Sequence, residues 1–327
     1  MTALEDAQAL RKAMKGLGTD EKTIIKIIAN RTNAQRLEIK EVYGKAIIKV
    51  IANRTNAQRL EIKEVYEQTF KRDLIKDFKS ELSGNLEHTV LALFVPPIEF
   101  DVEQLHTAMK GLGTDEDTLI EIIASRDEEL LNQIKLKYKE KYGIHLETAI
   151  ENETSGNFKK LLISLLRGGR SKNLNPDVEM CKKKAKALYE IGANKWGVNS
   201  DVFNKIFSLS SKFELAIICR EYYKLYGHTI IDDINNTFKG DLKKLLLSII
   251  HAIINPSEYF ASRIYDSMKG FGTRDKLLIR IIVSRDEIDM PMIKRYYKQL
   301  YGNDMIDDIK KDTSGDYRRL LVELVDH

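Results

Sequence analysis

Apolar residues in the middle of the chain recur at three- and four-residue spacing. LIEIIASR from Leu119, EELLNQIKLKYKEKYG from Glu128, HLETAIENE from His145 and FKKLLISLL from Phe158 each place them on one helix face. Glycine-containing breaks divide these stretches, and strand-like alternation does not occur in them. The pattern predicts an all-α fold built from short helices, about five to a unit.

The unit repeats. MKGLGTDEKTII from Met14, MKGLGTDEDTLI from Met109, IGANKWGVNSDVF from Ile191 and MKGFGTRDKLLI from Met268 resemble one another. So do ELSGNLEHTVLAL, ETSGNFKKLLISL, TFKGDLKKLLLSI and DTSGDYRRLLVEL. Between the second glycines of the first set, at 18, 113, 197 and 272, the steps are 95, 84 and 75. Between the glycines of the second set, at 84, 156, 240 and 315, they are 72, 84 and 75. The first steps differ by 23, the offset between two segments that differ only at Thr23/Ala46 and Ile27/Val50: 22–43 and 45–66. The chain therefore reads as four units, 1–95, 96–167, 185–254 and 255–327, with a 23-residue tandem insertion in the first. A polar, glycine- and proline-containing connector covers 168–184.

Two copies cannot fill the same helical slots. The first copy's leading helix is tethered to the glycine loop and the second copy's trailing helix leads toward Glu81, so those two are expected in place. The intervening residues, Asn33 to about Asn53, would then form an extruded hairpin. It would expose Leu37, Ile47, Ile48 and Ile51 and invite self-association.

Composition narrows the functional classes. The 327 residues are 43% hydrophobic and 31% charged with a net charge of +4, which permits attraction to anionic surfaces. Neither a basic stripe nor an aromatic stacking platform is visible, so no nucleic-acid partner is expected. Cys181 and Cys219 match no metal or redox spacing, no apolar run reaches transmembrane length, and MTALEDAQALRKAM is unlike a secretory signal. A cytoplasmic protein is expected, with a first helix that begins almost at residue 1. No nucleophile, histidine and acid share a recognisable pattern, so an enzyme is not expected.

A lone KGLGTDE would be a helix corner, with Thr19 or Thr114 capping the next helix. Recurrence with a distant acid changes that. Glu153 and Asp312 each stand forty residues after the second loop glycine, and Glu81 does so once the 23 inserted residues are removed. Calcium takes six to eight oxygens at flexible geometry, and a glycine bend can turn several carbonyls toward one point while a remote carboxylate completes the set. Coordination left open could be filled by an anionic oxygen such as a phosphate.

These loops, the acid forty positions on and the four-unit layout resemble the annexins over essentially the whole chain. The resemblance implies a slightly curved all-α disc of four five-helix repeats, with Ca2+ bridging the protein to acidic phospholipid. It implies ligands from the carbonyls of Met14, Gly16 and Gly18 with Glu81, of Met109, Gly111 and Gly113 with Glu153, and of Met268, Gly270 and Gly272 with Asp312. Secondary sites would fall on Thr19 and Glu21, and on Lys79, Leu82 and Glu87. Unit three departs: its loop residues Gly192, Lys195 and Gly197 are followed by Val198, and its fortieth residue is Thr237, so that site is expected to be empty or very weak. The residue before the second glycine is Leu17, Leu112, Trp196 or Phe271, beside Lys15, Lys110 and Lys269 in three units; all four read as membrane contacts. Asp101, Glu121, Arg126 and Arg280 match the polar centre of annexins, and a structural ion-pair cluster is the favoured reading of them. The competing functional reading is a helical-repeat scaffold for protein partners that does not use calcium.

Overall fold

The computed structural model describes residues 2–18, 45, 47–193 and 200–326, and among them every regular element is a helix. The first five are α1 (Ala3–Gly18), α2 (47–52), α3 (Asn56–Phe70), α4 (Leu74–Glu81) and α5 (Gly84–Leu93). The next five are α6 (Pro97–Ala108), α7 (Glu116–Ser125), α8 (Glu128–Tyr142), α9 (Leu146–Glu153) and α10 (Gly156–Arg167). Then come α11 (Val178–Ala193), α12 (Ser200–Leu209), α13 (Lys212–Tyr226), α14 (Ile230–Thr237) and α15 (Gly240–Ile254). The last are α16 (Pro256–Met268), α17 (Asp275–Arg285), α18 (Met290–Tyr301), α19 (Met305–Asp312) and α20 (Gly315–Val325).

The recurring order is matched by recurring contacts. Near the end of each third helix an aromatic ring meets a side chain of the first helix. His106 stacks on Tyr142 at 3.7 Å, Tyr189 on Tyr226 at 3.6 Å and Tyr265 on Tyr301 at 3.7 Å, while Arg11 lies 5.9 Å over Phe70. The hydroxyls of Tyr66 and Tyr297, one turn earlier, donate to Asp77 at 2.7 Å and Asp308 at 2.9 Å; Tyr222 donates likewise to Asp233.

The helices form two compact units, Met1–Pro97 with Phe260–His327, and Ile98–Tyr259. The second is centred on fully buried aliphatic residues such as Leu119, Ile122, Ile134, Leu162, Ile218 and Ile249. In the first, Leu10, Ile62, Tyr66, Leu74, Phe78 and Val90 are equally enclosed. Cys181 and Cys219 are free thiols.

Two expectations fail here. Ile47, Ile48 and Ile51 do not lie on an exposed hairpin: they are 4%, 4% and 1% exposed, and Val50 beside them is buried. The second copy supplies both α2 and α3. Its Arg54 makes a two-pronged ion pair with Asp6 of α1, at 2.6 and 2.9 Å, as Arg126 does with Asp101 in the next repeat. Thr55 closes a capping box with Gln58 at the corner into α3. The physical reason is continuity: this copy runs without a break through α3 into α4 and α5, so one corner places both helices. Leu37 and the whole of the first copy, 22–43, lie outside the described residues. The connector is also shorter than expected, because α11 begins at Val178 and buries Cys181.

One cap breaks the repeat. Gly143, Gly227 and Gly302 end the third helices in left-handed conformation, but Lys71 stands there in the first repeat at φ 54°. A side chain pays roughly 1–2 kcal/mol for that conformation, partly offset by the greater unfolded-state freedom of glycine. Lys71→Gly is expected to stabilise the protein by about 0.5–1 kcal/mol in urea unfolding.

Candidate metal and membrane site

Two loops share one construction. After α6, the Met109 and Lys110 amides donate to His106 and Thr107 carbonyls at 3.2 and 3.3 Å, and Asp115 N–H closes the bend onto the Ala108 carbonyl at 2.8 Å. After α16, Lys269 N–H donates to Tyr265 and Arg274 N–H closes onto the Ser267 carbonyl at 2.7 Å. Gly111 and Gly113 have φ of 112° and 88°, and Gly270 and Gly272 have 108° and 82°. A Cβ on any of them would meet nothing within 4 Å, so backbone conformation, not space, requires glycine. Among the described residues, no hydrogen bond engages the carbonyls of Met109, Gly111 and Gly113, or of Met268, Gly270 and Gly272.

The remote acids reach these bends. Thr114 Oγ1 lies 3.3 Å from both the backbone oxygen and Oε2 of Glu153. Thr273 Oγ1 lies 2.9 Å from the backbone oxygen of Asp312 and 2.7 Å from its Oδ2. Both acids end a helix, α9 or α19, where the macrodipole already places negative potential. A carboxylate there is poorly placed for helix stability and well placed to attract a cation. Glu153 is exposed and Asp312 half-buried.

Thr114, which a lone motif would make a helix cap, bonds instead to the remote acid, and Thr273, for which the sequence alone indicated no role, does the same. Asp115 caps α7 through Thr118 N–H at 3.1 Å, and Arg274 holds the cap position of α17, leaving Thr114 and Thr273 free to bond to the acids. The signal was present inside the chain: unit three, which lacks the acid, also has Val198 in place of the threonine.

The donor set suits a hard cation. Each loop offers carbonyl oxygens and one carboxylate, with no thiolate or imidazole in the proposed ligand set. Among the described residues no three His, Cys, Asp or Glu side chains cluster as a metal site. At the tip between each glycine pair, Leu112 and Phe271 are each 110% exposed, while Met109 and Met268 just before them are 8% exposed. An apolar side chain held fully in water on a braced loop is an unusual placement that a second surface would relieve.

A family model described as Annexin matches residues 5–46, 44–93, 100–165, 183–249 and 259–324. Human annexin A4 is 42% identical over 322 residues, covering 98% of this chain and 94% of its own. The chain belongs to the annexin family. Human annexin A11 is 40% identical over 325 residues, 98% of this chain, but the chain spans only 59% of the length of annexin A11. Among solved structures, chicken annexin V in complex with Zn2+ superposes with a TM-score of 0.89 at 38% identity, over 99% of this chain and 95% of that one. Calcium-bound annexin (Sm)1 does so with a TM-score of 0.79 at 29% identity, over 100% and 90%. Among the described residues, the all-α fold of this annexin is therefore that of its relatives. Among the described residues no helix is long and apolar enough to cross a membrane.

This annexin departs from the expected pattern in unit one. Met14, Gly16 and Gly18 lie on α1, which runs on through Gly18, whereas α6 and α16 stop before their loop glycines. Carbonyls within a helix point along its axis and do not converge on one ion. Glu81 ends α4, with burial and nearby Asp77 pushing its carboxyl above the usual range, against the opposing pull of Arg72. Lys79 is exposed, Leu82 caps α4, and Glu87 lies in the first turn of α5. Thr19, Glu21 and the side chain of Leu17 lie outside the described residues, as do Lys195, Trp196, Gly197 and Val198. Gly192 falls within α11, and Thr237 ends α14.

Asp101 and Arg126 form a two-pronged ion pair at 2.7 and 2.9 Å, with side chains 8% and 6% exposed. Burial works against the Arg126 charge, but Asp101 and then Glu121 outweigh it and raise the guanidinium pKa. Glu121 and Arg280 are also buried.

Proposed function

We propose that this annexin binds acidic phospholipid surfaces in a calcium-dependent manner through the loops after α6 and α16. Met109, Gly111 and Gly113 carbonyls with Glu153 would hold one ion, and Met268, Gly270 and Gly272 carbonyls with Asp312 a second. The observation that carries this reading is the pairing of each glycine bend with its acid through Thr114 and Thr273, under a fully exposed apolar tip. Bound calcium supplies a positive charge with coordination open to a lipid phosphate oxygen. Thr114 and Thr273 orient the carboxylates, while Leu112 and Phe271 enter the interfacial layer. With one carboxylate per site, intrinsic affinity belongs on the order of 10⁻⁴ to 10⁻³ M, and lipid raises it by the factor that calcium raises lipid affinity. Unit three has Thr237 where the others have the acid, and its site is expected to be empty or very weak. A cytoplasmic protein that moves to membranes when calcium rises fits this chemistry.

The chain is read as four repeats, 1–95, 96–167, 185–254 and 255–327, with residues 22–44 inserted behind the first loop. The overlap of the first two family matches, 5–46 and 44–93, and the burial of the second copy support that reading. Because α1 runs on through Gly18, the first loop does not take the form of the bends after α6 and α16, and no calcium site is assigned to it.

Cosedimentation with phosphatidylserine vesicles tests the function. Binding in calcium that is lost in EDTA and weak on phosphatidylcholine is expected, whereas equal binding with and without calcium would support the scaffold instead. Full burial of one large apolar side chain contributes about 1.5–3 kcal/mol and shallow insertion less. Leu112→Ser with Phe271→Ser is accordingly expected to weaken calcium-dependent vesicle binding roughly tenfold or more while leaving thermal stability unchanged.

A further inference from the structure

We propose that the groove between α10 and α12 binds a small sugar or polyol carrying two or more phosphate groups. The groove is open to solvent along one side, has a volume of about 560 Å³, within the usual range for a small-molecule site, and lies within one compact unit. Lys160, Ser164 and Arg167 line one wall at helical i, i+4 and i+7 spacing, and Asp201, Asn204, Lys205 and Ser208 line the other. Lys159 is also a lining residue, as is Glu151, whose backbone oxygen accepts from it at 3.2 Å, so cations outnumber carboxylates.

Asn204 distinguishes this groove from ordinary packing between helices. It is 7% exposed, lines the groove, and among the described residues its side-chain amide has no protein partner. Counted from the second loop glycine, the same position holds Ile120 and Ile279 in the second and fourth repeats, and Ile48 in the first once residues 22–44 are set aside. All three isoleucines are buried core residues. The third repeat thus has an amide where its siblings have a hydrocarbon, and the amide faces a charged groove.

The available hydrogen-bonding capacity defines the ligand. Ser164 and Ser208 already donate to the carbonyls of Lys160 and Asn204, at 2.8 and 2.7 Å, so their oxygens remain as acceptors for ligand hydroxyls. Asn204 offers both donor and acceptor. Lys160 and Arg167 are separated by two helical turns, about 10 Å, a span that phosphates on opposite sides of one sugar ring can bridge. Lys205 meets them from the facing wall. Anionic groups for the cations and hydroxyls for the serines together describe a phosphorylated polyol, either free or as a lipid headgroup.

Calorimetric titration of the full chain with inositol 1,4,5-trisphosphate, in EDTA and 0.15 M salt, tests this independently of the calcium loops. Saturable one-to-one binding is expected, with inorganic phosphate and myo-inositol each far weaker. Asn204→Ile, which restores the residue of the sibling repeats, and Lys205→Gln should each weaken binding about tenfold. Lys294→Gln, on the basic surface of α18, should leave it unchanged. Vesicles carrying phosphatidylinositol 4,5-bisphosphate, tested in EDTA, distinguish the sources: binding through the same residues identifies a headgroup, and binding of the free trisphosphate alone identifies a soluble ligand. No saturable heat from the folded chain, unchanged affinity in Asn204→Ile, or equal loss in Lys294→Gln would overturn the proposal.

Discussion

Excising residues 22–44 is expected to lower the calcium concentration for half-maximal vesicle binding by about tenfold. The excision joins Glu21 to Lys45 and leaves the buried residues Ile47, Ile48, Val50 and Ile51 where they are. Ile47 then stands six residues after Gly18, as Leu119 does after Gly113, so α1 must end earlier for the chain to enter α2. Met14–Gly18 would be driven from helix into the bend seen after α6 and α16, and Glu81 would again stand forty residues from Gly18. A third loop on the same chain adds multivalent contact without new chemistry, and an order of magnitude in apparent affinity is a modest return for one more tethered site. Calcium titration of vesicle cosedimentation, with Glu81→Gln added to the excised chain as the control, reads this directly. An unchanged midpoint would mean that the insertion is not what keeps the first site from forming.

The largest loss of stability is expected at Asp101. Its carboxylate is paired through two hydrogen bonds with Arg126, which also donates to Ser125 Oγ at 2.9 Å, and both charged side chains are nearly sealed from water. Asp101→Ala leaves a buried guanidinium without its counter-charge, which typically costs about 3–5 kcal/mol. The exposed pair Lys244–Asp117, at 3.1 Å with the lysine 54% exposed, offers the contrast: Lys244→Ala should cost less than about 1 kcal/mol. Urea unfolding followed on the transition of Ile98–Tyr259 separates the two. Similar small shifts for both variants would show that the Asp101–Arg126 pair is not a structural tie. Arg54–Asp6 is the matching tie of the first repeat, between the second copy and α1.

Most of the fold was legible because one helical period and one longer repeat run through the chain. The stretches from Leu119, Glu128, His145 and Phe158 became α7, α8, α9 and α10. The placement of the twin segments was not legible. Thr23/Ala46 and Ile27/Val50 are too alike to prefer one slot, and what selects the second copy is its unbroken run through Thr55 into α3. Nor could the sequence show that α1 runs on through Met14, Gly16 and Gly18, since the same glycine spacing breaks the helix after α6 and α16. Spacing alone brought Glu153 and Asp312 to their loops, but it could not show that Thr114 and Thr273 hold them, because a threonine before a helix reads first as a cap. The amide at Asn204 stood in the sequence as one polar residue on a helix face, and only its burial beside the groove gave it meaning.

The central claim is that Glu153 and Asp312 complete calcium sites on which membrane binding depends. Glu153→Gln with Asp312→Asn removes one anionic ligand from each loop while preserving shape and the threonine contacts. Cosedimentation of this double variant with phosphatidylserine vesicles across a calcium titration is the direct measurement. Loss of calcium-dependent binding at concentrations that saturate the wild-type chain is predicted, with helicity and thermal unfolding unchanged, and a double variant that still binds at the wild-type calcium midpoint would contradict the account.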